Sequence, residues 1–325
     1  MKKLALLLLA LAIVIPAFAD DAKVLPAGVL RTTISAAYNM FDEAYDADGD
    51  AEDFDGGKVS VFNMGGALEY GATDQITIAL QWAPGYNIYS SIEDDPMGGT
   101  NDKANINGPL DLFIGAKAQI MGPNGFVQNE MMRLAAAAGI LVPLKNTDWE
   151  EEFDNYSAGD DYNMGSGSNE VLGIGFRLFY DYLVNQNFYI NLYNETIFFP
   201  EAETSNQYTA YSQAMTAQPI EDVKVAYGYK STFEVEPSYT HPVNTTLDVT
   251  GSLPITYIIT PDMEIEGDAV DDTASSFLKM TPYVSAFFKS GLPFELKAGY
   301  SIPLMGKSTE KASTLIFQFK SYLKF

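Results

Sequence analysis

The chain has 325 residues, with 43 acidic residues against 19 basic ones and a formal charge of -24, and it contains no cysteine. The lack of cysteine excludes a disulfide framework, a thiolate metal site and a lipidated cysteine. The acidic excess argues against binding to nucleic acid and against docking on anionic lipid.

Residues 1–19 have the pattern of a secretory signal: Lys2 and Lys3, an apolar run, and the ending Ala17-Phe18-Ala19. Such an ending predicts cleavage after residue 19 and a single mature domain over residues 20–325. The apolar run is too short for a membrane helix, and no apolar run of spanning length follows it. The exported chain is therefore expected to be a soluble protein or a β-barrel.

Apolar and polar residues alternate with a period of two in most of the remaining chain, which predicts strands. In chain order, the predicted strands cover residues 28–41, 58–71, 75–82, 106–120, 132–142, 172–182, 188–198, 223–236, 246–259, 278–288, 294–302 and 313–325. About twelve strands are thus expected.

The connections between these strands alternate between long and short. The long ones cover residues 42–57, 83–105, 145–169, 200–221 and 261–274 and a modest loop around Gly306. A barrel with extracellular loops and periplasmic turns requires this alternation and an even strand number, whereas a soluble β-sandwich does not. The predicted fold is all-β: an antiparallel, transmembrane, up-and-down β-barrel of about 12 strands with short periplasmic turns and long acidic extracellular loops.

Charged residues are distributed unevenly between loops and strands. Acids crowd the long loops, while the bases of the strands fall on the faces opposite the apolar ones. Lipid-facing Arg or Lys near the middle of a bilayer costs about 2 to 4 kcal/mol, so these residues are predicted to point inward. The predicted lumen-lining residues are Arg31, Asp111, Lys117, Arg133, Arg177, Asp181, Glu195, Lys224, Lys230, Lys279, Lys297 and Lys320.

A barrel of about twelve strands is intermediate between small barrels filled by side chains and large open ones. The mixed inner face therefore predicts a narrow pore with ion pairs and aromatic patches across the lumen. The alternative is that these charges only satisfy one another inside a packed barrel.

The stretch over residues 313–325 places Leu315, Phe317 and Phe319 on one face and Lys320 and Lys324 on the other, and it ends at Phe325. It resembles the closing strand of bacterial outer-membrane β-barrels. The resemblance implies that Phe325 is the signal read by the barrel-assembly machinery.

His241 is the only histidine, and the run His241-Pro242-Val243-Asn244 is similar to the His-x-Ser-Asn motif of an outer-membrane phospholipase. Here Val243 stands where the serine nucleophile would be, in a stretch predicted to be a turn. A base without its nucleophile cannot perform acyl transfer. The chain is therefore predicted not to be an enzyme.

Asp46, Asp48 and Asp50 have the spacing of the first ligands of a calcium loop. The pattern then fails, because Ala51 occupies the glycine position and Gly57 the position of the bidentate glutamate. Weak binding of divalent cations is the only metal candidate, and a solvated acidic rim is the simpler interpretation. No cofactor is predicted.

Four stretches resemble a transporter family of outer-membrane barrels, the phenol-degradation meta-pathway transporters, and more distantly the long-chain fatty-acid transporters. They are residues 25–28, 68–75, 108–117 and 139–144. The resemblance implies a passive channel in the outer membrane of a diderm bacterium, for small solutes with hydrophobic or aromatic ones as candidates. Its partners would be outer-membrane lipid, the assembly machinery and the solute.

The chain departs from the fatty-acid transporters at its N-terminal end. Only residues 20–27 precede the first strand, too few for the hatch that plugs those barrels, although the loop over residues 145–169 could fold inward instead. The alternative function is an occluded structural or surface-interaction barrel, whose acidic loops bind cations or host or partner ligands. The sequence leaves the solute and the oligomeric state open.

Overall fold

The computed structural model describes residues 21–94, 104–216 and 218–325. The predicted signal over residues 1–19 lies outside the described residues, as do residues 95–103 of the second long connection. The strands in chain order are β1 (Val29–Phe41), β2 (Glu43–Tyr45), β3 (Ala51–Asp53), β4 (Val59–Gly71), β5 (Ile76–Ile92), β6 (Ala104–Asn105), β7 (Gly108–Pro109), β8 (Leu112–Met121), β9 (Met132–Val142), β10 (Tyr162–Asn163), β11 (Gly173–Leu183), β12 (Phe188–Phe199), β13 (Ala202–Thr204), β14 (Val223–Ala226), β15 (Gly228–Asn244), β16 (Leu247–Ser252), β17 (Ile255–Thr260), β18 (Glu264–Ile265), β19 (Asp268–Ala269), β20 (Ser275–Met280), β21 (Tyr283–Phe288), β22 (Phe294–Lys307), β23 (Thr309–Glu310) and β24 (Ser313–Lys324). The helices are α1 (Trp149–Ala158) and α2 (Gln207–Met215). No helix in the described ranges is long and apolar enough to cross a membrane.

The described strands build a closed antiparallel barrel with twelve wall strands. Around the wall the order is β1, β4, β5, β8, β9, β11, β12, β15, then β16 with β17, then β20 with β21, then β22 and β24. The ninth and tenth wall strands are each split in two, at Pro254 and Pro282. The barrel closes where β1 pairs with β24, from Val29 opposite Lys324 to Met40 opposite Ser313. The predicted all-β fold class, the antiparallel pairing of neighbouring strands and the strand number of about 12 are confirmed.

Alternation along each wall strand gives the barrel an apolar outer face. Large apolar side chains remain exposed there, among them Ile34, Leu80, Ile114, Phe176, Leu192, Phe233, Leu296 and Phe317. The inner face instead buries polar and charged side chains, among them Thr33, Asn63, Lys117, Asp181, Glu234 and Gln318. An apolar surface that surrounds the whole barrel matches lipid and not water.

The third wall strand is longer than predicted. β5 continues through Pro84 and Gly85, which were expected to end the strand at Trp82, so the predicted connection over residues 83–105 is wrong in its first half. Proline is tolerated because the β4–β5 register shifts across this point, between Trp82 and Tyr86, and proline is accepted in a strand at a bulge. Gly85 has a φ of +94°, and a Cβ there would lie 2.0 Å from the carbonyl oxygen of Met64.

The fourth wall strand is shorter than predicted. β8 starts at Leu112, whereas Ile106 and Leu110, expected to face lipid, are 2% and 4% exposed. Ile106 packs in an apolar cluster with Phe41, Val59, Val61, Tyr162 and Met164. The chain therefore turns into the barrel before the wall strand begins, and the alternation in this stretch reflects interior packing.

The eighth wall strand starts at Gly228 and not at Val223 as predicted. Val225 is fully buried in β14, which belongs to a small sheet outside the wall. The chain changes direction at Gly228, whose φ of +69° favours glycine. The apolar period runs across this turn, so the sequence pattern did not mark it.

The long connections are all at one end of the barrel, which we call the long-loop end; the other is the short-turn end. Three small sheets lie in these connections: β2, β3 and β23; β13, β14, β18 and β19; and the parallel pair β6 and β10. The helices α1 and α2 also lie there and touch through Phe153 and Tyr211, whose ring centroids are 6.0 Å apart. The predicted alternation of long and short connections is thus present.

Candidate functional site

A cavity lined by described residues lies in the lumen toward the long-loop end and has a volume of about 410 Å³. Its walls are the inward faces of the wall strands, and its side toward the long-loop end is formed by loop residues such as Trp149, Met164 and Ser168. This volume is within the range of small-molecule sites, about 300 to 1,000 Å³.

The structure brings together seven of the twelve predicted lumen residues around this cavity. They are Arg31, Asp111, Lys117, Arg177, Glu195, Lys230 and Lys320. Arg133 and Asp181 form an ion pair elsewhere in the lumen, with 3.4 Å between Nη1 and Oδ2. Lys279 is 1% exposed on β20, and the Lys297 ammonium lies 3.4 Å from the centroid of the Tyr283 ring. Lys224 does not reach the lumen, because it is exposed on β14 outside the wall.

A chain of polar contacts, the ionic belt, crosses the lumen. It is formed by Arg31, Glu69, Gln81, Arg177 and Glu195. Arg31 Nε donates to Glu69 Oε2 at 2.6 Å, and Gln81 Nε2 donates to Glu69 Oε1 at 3.1 Å. Arg177 then bonds both the Gln81 side-chain oxygen and Glu195. Because β8 and β9 lie between β5 and β11 in the wall, the contact between Gln81 and Arg177 is a chord across the lumen.

The Arg177 guanidinium is supported by the ring of Phe113, with 3.7 Å between its central carbon and the ring centroid. This ring lies on a row of three glycines, Gly115, Gly139 and Gly175, which are in register on β8, β9 and β11. A Cβ at any of the three would lie within 2.9 Å of the Phe113 ring. The glycines thus leave the room that the ring needs to hold Arg177 in the lumen.

The N-terminal segment, residues 21–27, folds into the barrel. Ala22, Val24 and Leu25 are buried, and Ala22 packs against Ala135, Phe179 and Tyr193. Main-chain amides of the segment donate to inward side chains: Ala22 N to both Asp181 carboxylate oxygens at 3.2 Å, and Leu25 N to Thr77 Oγ1 at 2.8 Å. Its main-chain carbonyls accept from two more: Ala22 O from Gln119 Nε2 at 2.8 Å, and Asp21 O from Lys117 Nζ at 3.2 Å. The segment thus contacts inward side chains of three wall strands, β5, β8 and β11.

The loop over residues 145–169 also turns inward. Trp149 at the start of α1 is 6% exposed and contacts the cavity, as do Met164, Gly165 and residues 167–169. Thr147 donates to Glu170 through its hydroxyl and through its amide, the latter at 2.8 Å. This inward loop is the arrangement that the sequence analysis offered in place of a hatch.

Titratable groups at the loop side of the cavity have pKa values above their ordinary ones. Burial raises the pKa of Glu170, and it raises the pKa of Asp111, in the connection before β8, to about 6. Burial also raises the pKa of Tyr227, between β14 and β15, to about 12. Several perturbed groups around one cavity indicate a candidate binding site.

A second polar cluster lines the opposite part of the inner face. Thr256 Oγ1 donates to Glu234 at 2.6 Å, and Ser238 Oγ donates to Glu236 at 2.8 Å, while the Tyr283 hydroxyl also bonds Glu236. Both carboxylates are 4% exposed. These hydrogen bonds hold both carboxylates within the inner face, although Glu234 Oε1 has no partner among the described residues, and this is the packed arrangement considered from the sequence for part of the lumen.

The metal and enzyme candidates fall outside the cavity. Asp46 Oδ1 accepts the amides of Asp48, Gly49 and Asp50 at 2.9, 2.7 and 2.9 Å, and these hydrogen bonds lower the pKa of Asp46. The carboxylate therefore caps the β2–β3 turn, and no group of three possible ligands in the described ranges is placed to hold a metal ion. His241 is exposed in β15 opposite Val249, and not in a turn as predicted.

Sequence reasoning missed the N-terminal segment, the glycine row under Phe113 and the buried Glu310. Only the glycines left a signal, since small residues at matching positions of three predicted strands can be read off once the register is known. Short main-chain contacts such as those of Ala22 carry no pattern in a single sequence.

No protein-family model matches the sequence, and a search of curated proteins finds no match. Among solved structures, an outer membrane channel from Pseudomonas putida F1 has a TM-score of 0.67 at 15% identity, over 94% of this chain and 99% of that one. A FadL homologue from Pseudomonas aeruginosa has a TM-score of 0.38 at 10% identity, over 91% and 90%. The toluene transporter TbuX from Ralstonia pickettii has a TM-score of 0.38 at 9% identity, over 93% and 90%. The first likeness supports the barrel fold over 94% of the chain, and the other two are too distant to carry an argument.

Proposed function

We propose that the chain is a passive outer-membrane channel for small solutes, with hydrophobic or aromatic molecules as the main class. The observation that carries this proposal is a lumen cavity of about 410 Å³, lined by both charged and aromatic side chains, inside a barrel with an apolar outer face. The similar fold of the Pseudomonas putida protein, which is described as an outer membrane channel, supports it.

Acids at the long-loop end and the inward course of the loop around Trp149 favour an orientation with this end outside the cell. Solutes would reach the cavity between the loops and then meet the ionic belt and the N-terminal segment. A channel role needs no catalytic residue, and His241, exposed in β15, belongs to no hydrogen-bonded nucleophile and base pair among the described residues.

The test is single-channel recording in planar bilayers with refolded protein that lacks residues 1–19. We expect discrete conductance steps, and their absence at high protein concentration would contradict the proposal. The lumen is then probed with two variants of one ion pair, Arg177→Met and Glu195→Gln. Because each removes one charge of opposite sign, the reversal potential should move toward cation selectivity for the first and toward anion selectivity for the second.

This pair of variants separates charge from structure. Both break the same contact, so a purely structural effect would change selectivity in the same direction for both. Shifts of equal sign would remove these residues from the conduction path.

A second candidate function, an occluded surface-interaction barrel, is favoured by one observation: the ionic belt and the N-terminal segment both cross the lumen. Deletion of residues 42–57, the first acidic loop, discriminates between the two. Permeability should persist if the lumen is the working part, whereas loss of ligand or cation binding without any permeability would favour the surface.

A further inference from the structure

The acids that line the cavity are already bonded by protein donors. The pairs are Glu69 with Arg31 and Gln81, Asp111 with Ser168, Glu170 with Thr147, and Glu195 with Arg177. A solute that enters the cavity therefore meets carboxylates whose donors are supplied by the protein.

The basic side chains that line the cavity do not all have hydrogen-bond or ion-pair partners. Arg31 and Arg177 are in ion pairs, Lys117 donates to the main chain of Asp21, and Lys320 also has a partner. Within the part of the chain that the structure describes, Lys230 makes no hydrogen bond and no ion pair within 4 Å. An ammonium has three hydrogen-bond donors and no acceptor, so Lys230 lacks the acceptor groups that the other basic side chains have as partners.

The surroundings of Lys230 do not supply an acceptor. It lies on the inner face of β15 opposite Ile197, and the cavity that it lines is also lined by Phe199 and Phe277. Three carboxylates, those of Asp111, Glu195 and Glu310, are near enough to interact with it electrostatically but not to bond it.

Two of these carboxylates are held by other donors, as described above. The third, Glu310, is 1% exposed, and burial raises its pKa to about 8, so it is mostly protonated at neutral pH. Five bases and four acids line the cavity, which leaves one positive charge in excess.

We propose that Lys230 binds the negatively charged head group of the transported solute, and that this solute is a small amphipathic monocarboxylate with an aromatic or branched aliphatic body. The proposal rests on the proposed channel function and names the substrate class of that cavity. A single ammonium matches a single carboxylate, and the Phe199 and Phe277 side matches the apolar body. The acidic loops at the rim weaken this attraction only at low salt, since exposed charges are screened over about 8 Å at physiological ionic strength.

The experiment compares three probes with the same ring: benzoate, benzyl alcohol and benzylammonium. Each is added to the long-loop side of the channel in a planar bilayer at 0.15 M salt or above, and the concentration that halves the open current is measured. Benzoate should block at a concentration lower by about tenfold or more than benzyl alcohol, because a charge-assisted hydrogen bond is stronger than a neutral one. Benzylammonium should block least.

The variant Lys230→Met should abolish the difference between benzoate and benzyl alcohol, and Lys230→Arg should restore part of it. The matched control is Lys224→Met, which removes a lysine from the exposed β14 and should leave all three values unchanged. Equal block by benzoate and benzyl alcohol, or an unchanged preference in Lys230→Met, would overturn the proposal.

Failure of the channel function is distinguishable from failure of carboxylate binding by Lys230. If wild-type protein gives no conductance steps, binding of benzoate is measured by calorimetry in detergent micelles, with the same variants. Benzoate binding that depends on Lys230 then supports the role of Lys230 in binding the carboxylate even though the protein does not conduct. The absence of benzoate binding refutes that role. Folding of each variant is checked by heat-dependent gel mobility, and Lys230→Arg keeps the test decisive if Lys230→Met does not fold.

Discussion

Glu310, on β23 near the long-loop end, carries a buried carboxyl whose pKa is raised to about 8 by burial. Thr309 bonds it, and its Oε1 has no hydrogen-bond partner among the described residues. Because the pKa in the folded state lies above its ordinary value of 4.5, the folded protein holds this proton more tightly than the unfolded chain does. Its contribution to stability is therefore complete below pH 4.5 and is lost as the pH rises through about 8.

We predict that the free energy of unfolding decreases between pH 5 and pH 8.5, by up to roughly 1.4 kcal/mol per pH unit from this group. Urea unfolding in detergent micelles, followed by tryptophan fluorescence, measures it. Glu310→Gln should flatten the dependence, while Glu264→Gln, at an exposed position on β18, should not. An identical pH dependence in Glu310→Gln and wild type would show that other groups cause it.

At the same scale, the sequence predicted which residues face inward better than what they do there. Alternation placed Arg177 and Glu195 on the inner face, because a period of two fixes the face once a strand is assigned. It could not show that Arg177 lies on Phe113, since this contact depends on Gly115, Gly139 and Gly175 being in register on three strands. Register between strands is a property of the folded sheet and not of any one stretch.

Among the elements, the N-terminal segment gives the clearest prediction. Removal of residues 21–25 deletes the main-chain groups that bond Asp181, Thr77 and Gln119. The barrel wall should remain intact, because the deleted residues 21–25 precede β1 and belong to no wall strand. Single-channel conductance should rise by at least about twofold, since an obstacle to solute and water is removed.

Deletion of residues 266–269 is the matched control, because it shortens an exposed hairpin around β19. It should leave the conductance unchanged. A wild-type conductance after loss of residues 21–25 would mean that the segment does not limit the conducting path.

Element boundaries were predicted well where a strand ended in a turn and poorly where it ended inside the barrel. The short turns after β4 and β11 lie at Ala72–Gln75 and around Asn185, where polar turn residues interrupt the alternation. Pro84 and Ile106 misled in opposite ways. A proline normally stops a strand but sits here at a bulge, and an apolar alternation normally marks a wall but belongs here to residues that pack inside.

For the whole molecule, the role of Phe325 as an assembly signal stays a prediction. Its side chain is 81% exposed, and its amide donates to Gly28 O at 2.9 Å. Phe325→Ala should lower the amount of folded barrel in the outer membrane, because the resemblance to the closing strands of such barrels implies that the final aromatic residue is read by the assembly machinery. Heat-dependent gel mobility of outer-membrane fractions measures this amount.

Barrels of Phe325→Ala that do assemble should conduct as wild type does, since this side chain does not line the cavity. Leu323→Ala is the control, with an outward residue of the same strand changed and the final aromatic kept. Equal loss of assembly in both variants would indicate a general effect on β24 and not a signal at residue 325.

The pairing of β1 with β24 also fixes the order in which the wall can form. The ends of this pair are separated by almost the whole chain, whereas pairs such as β4 with β5 are joined by a few residues. Closing the larger loop costs roughly 4 kcal/mol more in chain entropy, so this contact should form after the local ones. Until then the molecule is a curved sheet with two open edges, each with unpaired amides and carbonyls that could pair with another copy. The stage most exposed to aggregation is therefore the last one before closure, when all the strands exist and only β1 and β24 have not yet met.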